Sequence, residues 1–343
     1  MRFLFRKNNK KVFIIAEISA NHGQDFNRAV EMIKKAKECG ADAVKFQTYT
    51  PDTITVDVNN KYFRIKHDQW GGQTLYQLYQ KAYTPWNWFK KLKKVADQEG
   101  IIFFSSVFDK TAVDLLEDLG VCMHKISSFE LNDLPLIEYT AKTKKPLLMS
   151  TGMATLSEIK KAVNAAKRSG AKSVGLFKCV SSYPADPSEM NLRTIPNLIE
   201  KFQIPIGLSD HTLGIAASIA AVSLGATMIE KHFTLSRDIK TEDSFFSIDP
   251  TELKILVDSV RSVEKALGKV YYGNTQKEKE SRAYRRSLFV VNDIKKGNIF
   301  SEENVRSVRP ANGLEPKYIN RILGKRAKFN IKKGTPIQWD LIS

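Results

Sequence analysis

The sequence has little cysteine, little histidine and no long hydrophobic run. Only three of its 343 residues are cysteine, and no two have Cys-x-x-Cys spacing, so neither disulfides nor a thiolate metal site is expected. No apolar run reaches the roughly 18 residues that a membrane span needs. The apolar patch in the N-terminal MRFLFRKNNK is too short for a signal peptide. We therefore expect a cytoplasmic protein that does not enter a membrane.

Acidic residues are scarce relative to basic ones. The chain has 37 Asp and Glu against 54 Lys and Arg, a formal net charge of +17. The excess is steepest in residues 285–343, which contain 13 basic and 5 acidic residues. A positive surface attracts phosphates and carboxylates as well as nucleic acids. Because the chain has no RNA-binding motif and no interleaved aromatic residues, we expect small anions and no nucleic acid as partners.

What the chain does contain is a regular alternation of short apolar runs and amphipathic stretches of helical length. The pattern repeats eight times from residue 12, and five of the stretches end at a glycine, where a helix C-cap is expected. The eight predicted strands are VFIIAEIS, AVKFQTY, IFFSSVF, CMHKISS, PLLMST, VGLFKCV, IPIGLSD and TMIEKHF. This alternation predicts an α/β fold, an eight-stranded parallel (β/α)₈ barrel.

The barrel is expected to occupy residues 1–270, and two further segments differ from it in composition. Residues 271–284 are rich in charge and are predicted to be a linker. Residues 285–343 contain two Ile-Lys-Lys-Gly turns, which favour a small β-rich domain. Within the barrel, an irregular insertion at about residues 50–84 is expected to form a long loop over the mouth.

Polar residues gather at the predicted carboxyl ends of the strands, where barrel enzymes carry their catalytic groups. Lys45 and Lys125 lie between apolar neighbours, and a buried ammonium group needs an anion. One possibility is an internal ion pair with Glu17 or Glu130. The other is a bound phosphate and carboxylate, held by both lysines and by serine hydroxyls through charge-assisted hydrogen bonds. The candidate hydroxyls are those of Ser128, Ser150 and Ser209.

Two of the five histidines, His211 and His232, end neighbouring predicted strands at the same height. Their imidazoles could hold one divalent cation, with water or substrate oxygens completing its coordination. Two histidines without a third protein ligand suit an exchangeable Mn²⁺ or Mg²⁺ rather than structural zinc. The alternative is that they form hydrogen bonds across the mouth. His22 is expected close behind this pair, with His67 in a loop and His124 in a packed strand.

Six segments resemble the sialic acid synthase family, whose members condense phosphoenolpyruvate with an amino-sugar aldose. They are FIIAEISANHGQ, ADAVKFQTYTPDTIT, HKISSFE, MSTGMA, GLSDHTLG and GATMIEKHFTL. Residues 285–343 resemble the antifreeze-like (SAF) domain of that family. The segments occur in order over nearly the whole chain. The resemblance therefore implies this activity, the barrel fold and a domain-swapped homodimer.

The resemblance also implies roles for single residues. Contacts to phosphoenolpyruvate fall on Lys45, Ser105 or Ser106, Lys125, Ser128, Ser150 and Ser209. Contacts to the sugar fall on Gln47, Glu130, Tyr183 and Asp243. Arg309 is expected to reach the partner subunit's site, His211 and His232 to hold the cation, and Glu17 to handle water or a hydroxyl proton. Ser181 departs from the family, which commonly has Asn there.

The segment TEDSFFSIDP, from Thr241, resembles the pseudaminic acid branch of the family. The substrate of that branch, a 2,4-diacetamido-2,4,6-trideoxy altrose, has a methyl group in place of a hydroxymethyl group. A pocket containing Phe245 or Phe246 would favour it, although these phenylalanines could instead serve loop packing. Neuraminate and legionaminate synthesis are the alternatives within the family.

Two other functional classes stay open on the sequence. A lysine Schiff-base aldolase would use Lys45 or Lys125 as its nucleophile. A sugar-binding protein without catalysis would keep only the scaffold. The metal-assisted synthase predicts that a chelator abolishes activity, whereas a binding protein would be indifferent to it.

Overall fold

The computed structural model describes residues 11–66 and 69–343. The N-terminal segment MRFLFRKNNK and His67 lie outside the described residues. The chain divides into two compact units, and the boundary falls between Gly268 and Lys269. Part of the predicted linker, Gln276–Ser281, is helical.

The first unit is a closed barrel of eight parallel strands, in which neighbours in sequence are neighbours in space and β1 also pairs with β8. The predicted (β/α)₈ barrel is therefore confirmed. The strands are β1 Phe13–Glu17, β2 Ala43–Thr48, β3 Ile102–Val107, β4 His124–Ile126, β5 Pro146–Ser150, β6 Ser173–Cys179, β7 Ile206–Asp210 and β8 Met228–His232.

Helices α1 and α4 to α10 each follow one barrel strand. The α-helices of this unit are α1 Phe26–Glu38, α2 Pro51–Ile54, α3 Leu75–Ala82, α4 Phe89–Glu99, α5 Lys110–Asp118, α6 Leu134–Ala141, α7 Leu156–Arg168, α8 Thr194–Phe202, α9 Ala216–Ser223 and α10 Pro250–Leu267. Asp25 and Asp249 cap the first and last of them by accepting backbone N–H groups. The five glycines expected after helices, Gly40, Gly100, Gly120, Gly170 and Gly225, all have positive φ.

Side chains alternate between the barrel interior and the layer beneath the helices, because a strand has a side-chain period of two. Phe13, Ile15, Phe104 and Phe177 belong to a buried apolar cluster that fills the interior. The outward-facing residues join the main core, which packs against the helices. The interior residues nearest the carboxyl ends of the strands are polar, so they lie above an apolar floor.

The insertion after β2 is more ordered than the expected loop. Helix α2 is followed by a short antiparallel pairing, in which Arg64 bridges to Thr74, and then by α3. The insertion is fastened to the end of β1, since His22 Nε2 lies 2.9 Å from Thr84 Oγ1.

The second unit contains helices α11 Gln276–Ser281 and α12 Ile319–Ile322 and an antiparallel pair, β9 Ser287–Val290 and β10 Val305–Val308. Its two Ile-Lys-Lys-Gly segments pair with each other, because Ile294 and Ile331 exchange backbone hydrogen bonds of 2.8 and 2.7 Å. This pairing covers a small core that includes Leu288 and Phe300. In the part of the chain that the structure describes, no helix has the length and apolar character needed to cross a bilayer.

Candidate active site

A cavity of about 440 Å³ opens at the carboxyl ends of the barrel strands. Because catalytic groups of (β/α)₈ barrels collect at this face, it is the candidate active site. Twelve of the residues singled out from the sequence line it: Glu17, Lys45, Gln47, Lys125, Ser128, Glu130, Ser150, Tyr183, Ser209, His211, His232 and Asp243.

Three of the predicted site residues do not line this cavity. Ser106 lies one layer behind it and accepts a hydrogen bond of 2.9 Å from Lys45 Nζ. Ser105 faces the helices, since its hydroxyl lies 2.6 Å from that of Thr48, so the structure does not bring it to the site. Arg309 belongs to the second unit, where it is exposed and lies in a shallow pocket with Arg286.

The two buried lysines at the cavity are paired with carboxylates. Lys45 Nζ lies 2.8 Å from Glu17 Oε2, and Lys125 Nζ lies 2.6 Å from both oxygens of Glu230. Glu230 is also 3.7 Å from Lys45, so it joins both cations in one network. Of the two carboxylates expected as counter-ions, Glu17 pairs with Lys45, and Glu130 pairs with neither lysine. Glu230 is a counter-ion that was not expected from the sequence, although it lies two residues before His232 and therefore on the same face of β8.

The carboxylates of this network have very different proton affinities. Burial alone would raise the pKa of Glu230, but the ammonium groups of Lys125 and Lys45 lower it to about 2. Burial dominates at Glu17 and raises its pKa to about 7. Burial likewise raises the pKa of Glu130 to about 7. At neutral pH the cavity therefore contains carboxyl groups poised to exchange a proton.

The rings of His211 and His232 lie with their centroids 5.3 Å apart. His211 Nδ1 donates to the Val180 carbonyl at 2.8 Å, so in the neutral ring the lone pair is on Nε2. His232 Nδ1 is buried, has no hydrogen-bond partner among the described residues, and lies 3.7 Å from an Asp243 oxygen. The described residues contain no cluster of three metal-binding side chains. This donor set fits a cation that takes its remaining ligands from water or substrate.

His22 does not belong to this pair. Its Nδ1 accepts a hydrogen bond of 3.0 Å from the Gln24 backbone, so its Nε2 carries the proton and donates to Thr84. Burial lowers the pKa of His22 to about 4, which keeps the ring neutral. Its role is to hold the end of the insertion.

Phe245 and Phe246 do not line the cavity, so the expected phenylalanine-lined pocket is not found. Phe246 is buried behind the site, with its ring 4.7 Å from that of His232 and 5.2 Å from that of Tyr183. Phe245 packs against Trp70 at 6.1 Å. Both phenylalanines therefore serve loop packing, which was the alternative interpretation.

Much of the apolar lining of the cavity comes instead from the insertion, and Phe108 and Phe129 add to it from the ends of β3 and β4. We call the set from the insertion the insertion wall: Ile54, Ile65, Trp70, Leu75 and Leu78. From the sequence, this insertion was expected over the mouth but its lining residues were not identified, although Leu75, Leu78 and Ala82 have the i, i+3, i+7 spacing of one helix face.

A closed (β/α)₈ barrel with buried lysines, acidic groups and paired histidines at its mouth defines a barrel enzyme. Comparison with known proteins identifies its class further. The NeuB family model matches residues 32–272, and the SAF domain model matches residues 285–343. The chain belongs to the NeuB family, which confirms the resemblance inferred from its motifs.

Similar proteins extend over nearly the same length. The chain is 46% identical to the pseudaminic acid synthase of Campylobacter jejuni, over 96% of each chain. It is 43% identical to the pseudaminic acid synthase of Helicobacter pylori, over 95% of this chain and 96% of that one. The solved N-acetylneuraminic acid synthetase of Leptospira borgpetersenii, in complex with citrate, is 34% identical with a TM-score of 0.71, over 79% of this chain and 90% of that one.

Proposed function

We propose that this enzyme condenses phosphoenolpyruvate with 2,4-diacetamido-2,4,6-trideoxy-β-L-altropyranose and water, giving pseudaminic acid and phosphate. The observation that carries the proposal is the pair of buried lysines, Lys45 and Lys125, at a cavity that also holds two histidines. The choice of sugar is supported by the names of the relatives that are 43% and 46% identical.

Phosphoenolpyruvate binds where its two anionic groups meet the two lysines. The hydroxyls of Ser128, Ser150 and Ser209 line the same cavity and supply further hydrogen bonds. On binding, the ligand competes with Glu17 and Glu230 for the ammonium groups.

The reaction joins the methylene carbon of phosphoenolpyruvate to the aldehyde carbon of the open-chain sugar, whose oxygen takes up a proton. Water adds to the central carbon of the phosphoenolpyruvate unit, and phosphate leaves with its bridging oxygen as that C–O bond breaks. Glu17 accepts the proton from the attacking water. Gln47 Nε2 donates to Glu17 Oε1 at 3.0 Å and so fixes the orientation of this base.

His211 and His232 would hold a divalent cation, Mn²⁺ or Mg²⁺. Such a cation supplies Lewis-acid polarisation of the aldehyde oxygen. Asp243, close to His232, and Tyr183, close to His211, lie where they can orient the sugar beside it. Glu130 lines the same cavity and contacts a sugar hydroxyl.

We also propose that the enzyme works in the cytoplasm as a domain-swapped homodimer, in which Arg309 contacts the sugar bound to the partner barrel. The exposed position of Arg309 leaves its guanidinium group available for such a contact. A fully active monomer in gel filtration would contradict this assembly.

The proposal is tested by phosphate release from phosphoenolpyruvate and Mn²⁺, with the diacetamido-trideoxy altrose and N-acetylmannosamine offered separately. We expect release with the first sugar and loss of activity on adding EDTA. Release with N-acetylmannosamine alone would assign a neuraminate synthase. No release with either sugar would favour a legionaminate-type sugar or a binding protein, and borohydride trapping of a lysine adduct would assign a Schiff-base aldolase.

A further inference from the structure

The cavity has two chemically different sides. One side carries the ionic network of Lys45 and Lys125 and the paired histidines. The other is the insertion wall, whose aliphatic side chains offer no hydrogen-bonding group; Tyr79 of α3 also lines the cavity and carries a hydroxyl. A cavity divided in this way suits a ligand pair that is anionic at one end and methyl-bearing at the other.

Backbone hydrogen bonds fix the wall in place. Ile65 N donates to the Gln73 carbonyl at 3.0 Å, and Leu75 N donates to the Phe63 carbonyl at 2.8 Å. Thr74 then begins α3 with a capping box formed with Gln77. Ile65 and Leu75 are thus held on paired segments, and their position at the cavity is set by backbone geometry.

Trp70 presents carbon rather than its polar atom to the cavity. Its Nε1 donates to the Glu242 carbonyl at 2.9 Å, and an indole has no other hydrogen-bonding group. Its ring centroid lies 5.7 Å from that of Tyr183, which in turn lies 4.4 Å from that of His211. The wall therefore begins one aromatic ring away from the paired histidines. A sugar whose aldehyde lies beside His211 has its far end within reach of Trp70.

We propose that the insertion wall selects the methyl-bearing end of the sugar, with Ile65 and Trp70 as specificity-determining residues. This inference rests on the proposed function and assigns its sugar selectivity to a segment outside the strand ends. A hydroxymethyl group facing these side chains would lose its hydrogen bonds to water without replacement. Because an apolar pocket rejects an added hydroxyl only moderately, we expect about 10- to 100-fold discrimination.

The test compares two sugars that differ in one atom: the diacetamido-trideoxy altrose and its 6-hydroxy counterpart. The ratio of their kcat/KM values is measured for the wild type, Ile65→Thr and Val56→Thr, with phosphoenolpyruvate KM in parallel. Ile65→Thr introduces a hydroxyl into the wall. Val56→Thr introduces the same group in the same insertion, at a side chain that is 51% exposed and does not line the cavity.

We expect Ile65→Thr to reduce the selectivity ratio about fivefold to tenfold, mainly through the sugar KM, while phosphoenolpyruvate KM stays unchanged. Val56→Thr should keep the wild-type ratio. If Ile65→Thr does not fold, Ile54→Thr, at another position in the wall, replaces it. A wild-type ratio near one, or a ratio that neither wall variant changes, would overturn the inference. Wild-type enzyme that uses neither sugar would instead overturn the proposed function, whatever the variants do.

Discussion

Two buried charge clusters lie on opposite faces of the barrel sheet, share strand β8 and differ in how completely their polar groups are paired. The inner cluster faces the cavity and contains Glu17, Lys45, Lys125 and Glu230. The outer cluster is the pair of Asp210 and Lys231, 3.0 Å apart, in the layer beneath the helices. Glu230 and Lys231 are consecutive residues of β8, so the pleat of one strand separates the two clusters.

The outer pair has a complete set of partners. Asp210 Oδ1 accepts from the Thr212 backbone at 2.9 Å and from the Thr212 hydroxyl at 2.8 Å. Asp210 Oδ2 accepts from Ser218 at 2.6 Å, and Lys231 also donates to the Thr212 carbonyl. Because Asp210 precedes His211 and Lys231 precedes His232, this pair ties together the two strand ends that carry the histidines.

The inner cluster and its neighbours are incompletely paired. Glu17 Oε2 has the Lys45 ammonium group, 2.8 Å away, as its ion-pair partner. Among the described residues, however, Glu130 Oε2 and His232 Nδ1 are buried without a hydrogen-bond partner. Since buried polar atoms are normally satisfied, such a concentration marks a place that a ligand completes. The comparison therefore separates an ion pair that stabilises the fold from ionisable groups that remain available to bind substrate.

The largest expected effect comes from Glu17→Gln, which removes the proposed base from the inner cluster. We expect kcat to fall by about 10²- to 10⁴-fold, with a much smaller change in phosphoenolpyruvate affinity. Steady-state phosphate release and titration of phosphoenolpyruvate measure the two quantities. Equal losses in turnover and affinity would show that Glu17 serves binding rather than proton transfer.

The pH dependence of Glu17→Gln sharpens this test. Burial raises the pKa of Glu17 in the free enzyme to about 7, so the base form is lost as pH falls, and wild-type kcat/KM should drop tenfold per unit below about pH 7. Glu17→Gln should lack this limb, whereas Glu130→Gln should retain it.

The unfolded Glu17 carboxyl loses its proton near pH 4.5, before the folded one, so the stability contributed by protonated Glu17 is lost as pH rises from 4.5 to 7. Glu17→Gln should therefore not destabilise the fold at pH 8.

Asp210→Ala should break the outer cluster and destabilise the protein. It leaves the Lys231 ammonium buried without its counter-ion, for which we expect a loss of about 3–5 kcal/mol in unfolding free energy. Denaturant unfolding measures this loss. The double variant Asp210→Ala with Lys231→Met should recover much of it, because it removes both charges. If Asp210→Ala were as stable as wild type, the Asp210–Lys231 pair would contribute no more to the unfolding free energy than a surface ion pair does.

The barrel was predictable from the sequence because its apolar period and helix-ending glycines are local signals. Lys45, Lys125, His211 and His232 were predictable because parallel topology brings all strand ends to one face. The partner of Lys125 was not, because Glu230 is 105 residues away and the pairing depends on barrel closure.

The alternation of side chains between the two faces of a strand explains why Ser105, an expected phosphoenolpyruvate contact, does not line the cavity. Lys45 and Gln47 pair in register with Phe104 and Ser106, so Ser105 must face the opposite side. The alternation of side chains along β3 was enough to predict this. In the insertion, only the helical spacing of Leu75, Leu78 and Ala82 indicates an apolar face, and Ile54, Ile65 and Trp70 have no such pattern.

Lys125→Met gives the smallest of the expected effects. It tests most directly whether the inner cluster serves ligand binding while the outer cluster serves stability. We expect phosphoenolpyruvate Kd to rise about a hundredfold, since one charge-assisted contact is lost. Stability should change far less than in Asp210→Ala. Glu230 keeps Ser209 at 3.1 Å and Lys45 at 3.7 Å, and methionine can replace the lysine stem beside the Phe177 ring. Calorimetric titration and denaturant unfolding of the same preparation give both numbers. If stability fell as in Asp210→Ala while phosphoenolpyruvate bound normally, Lys125 would belong with the charges that hold the fold.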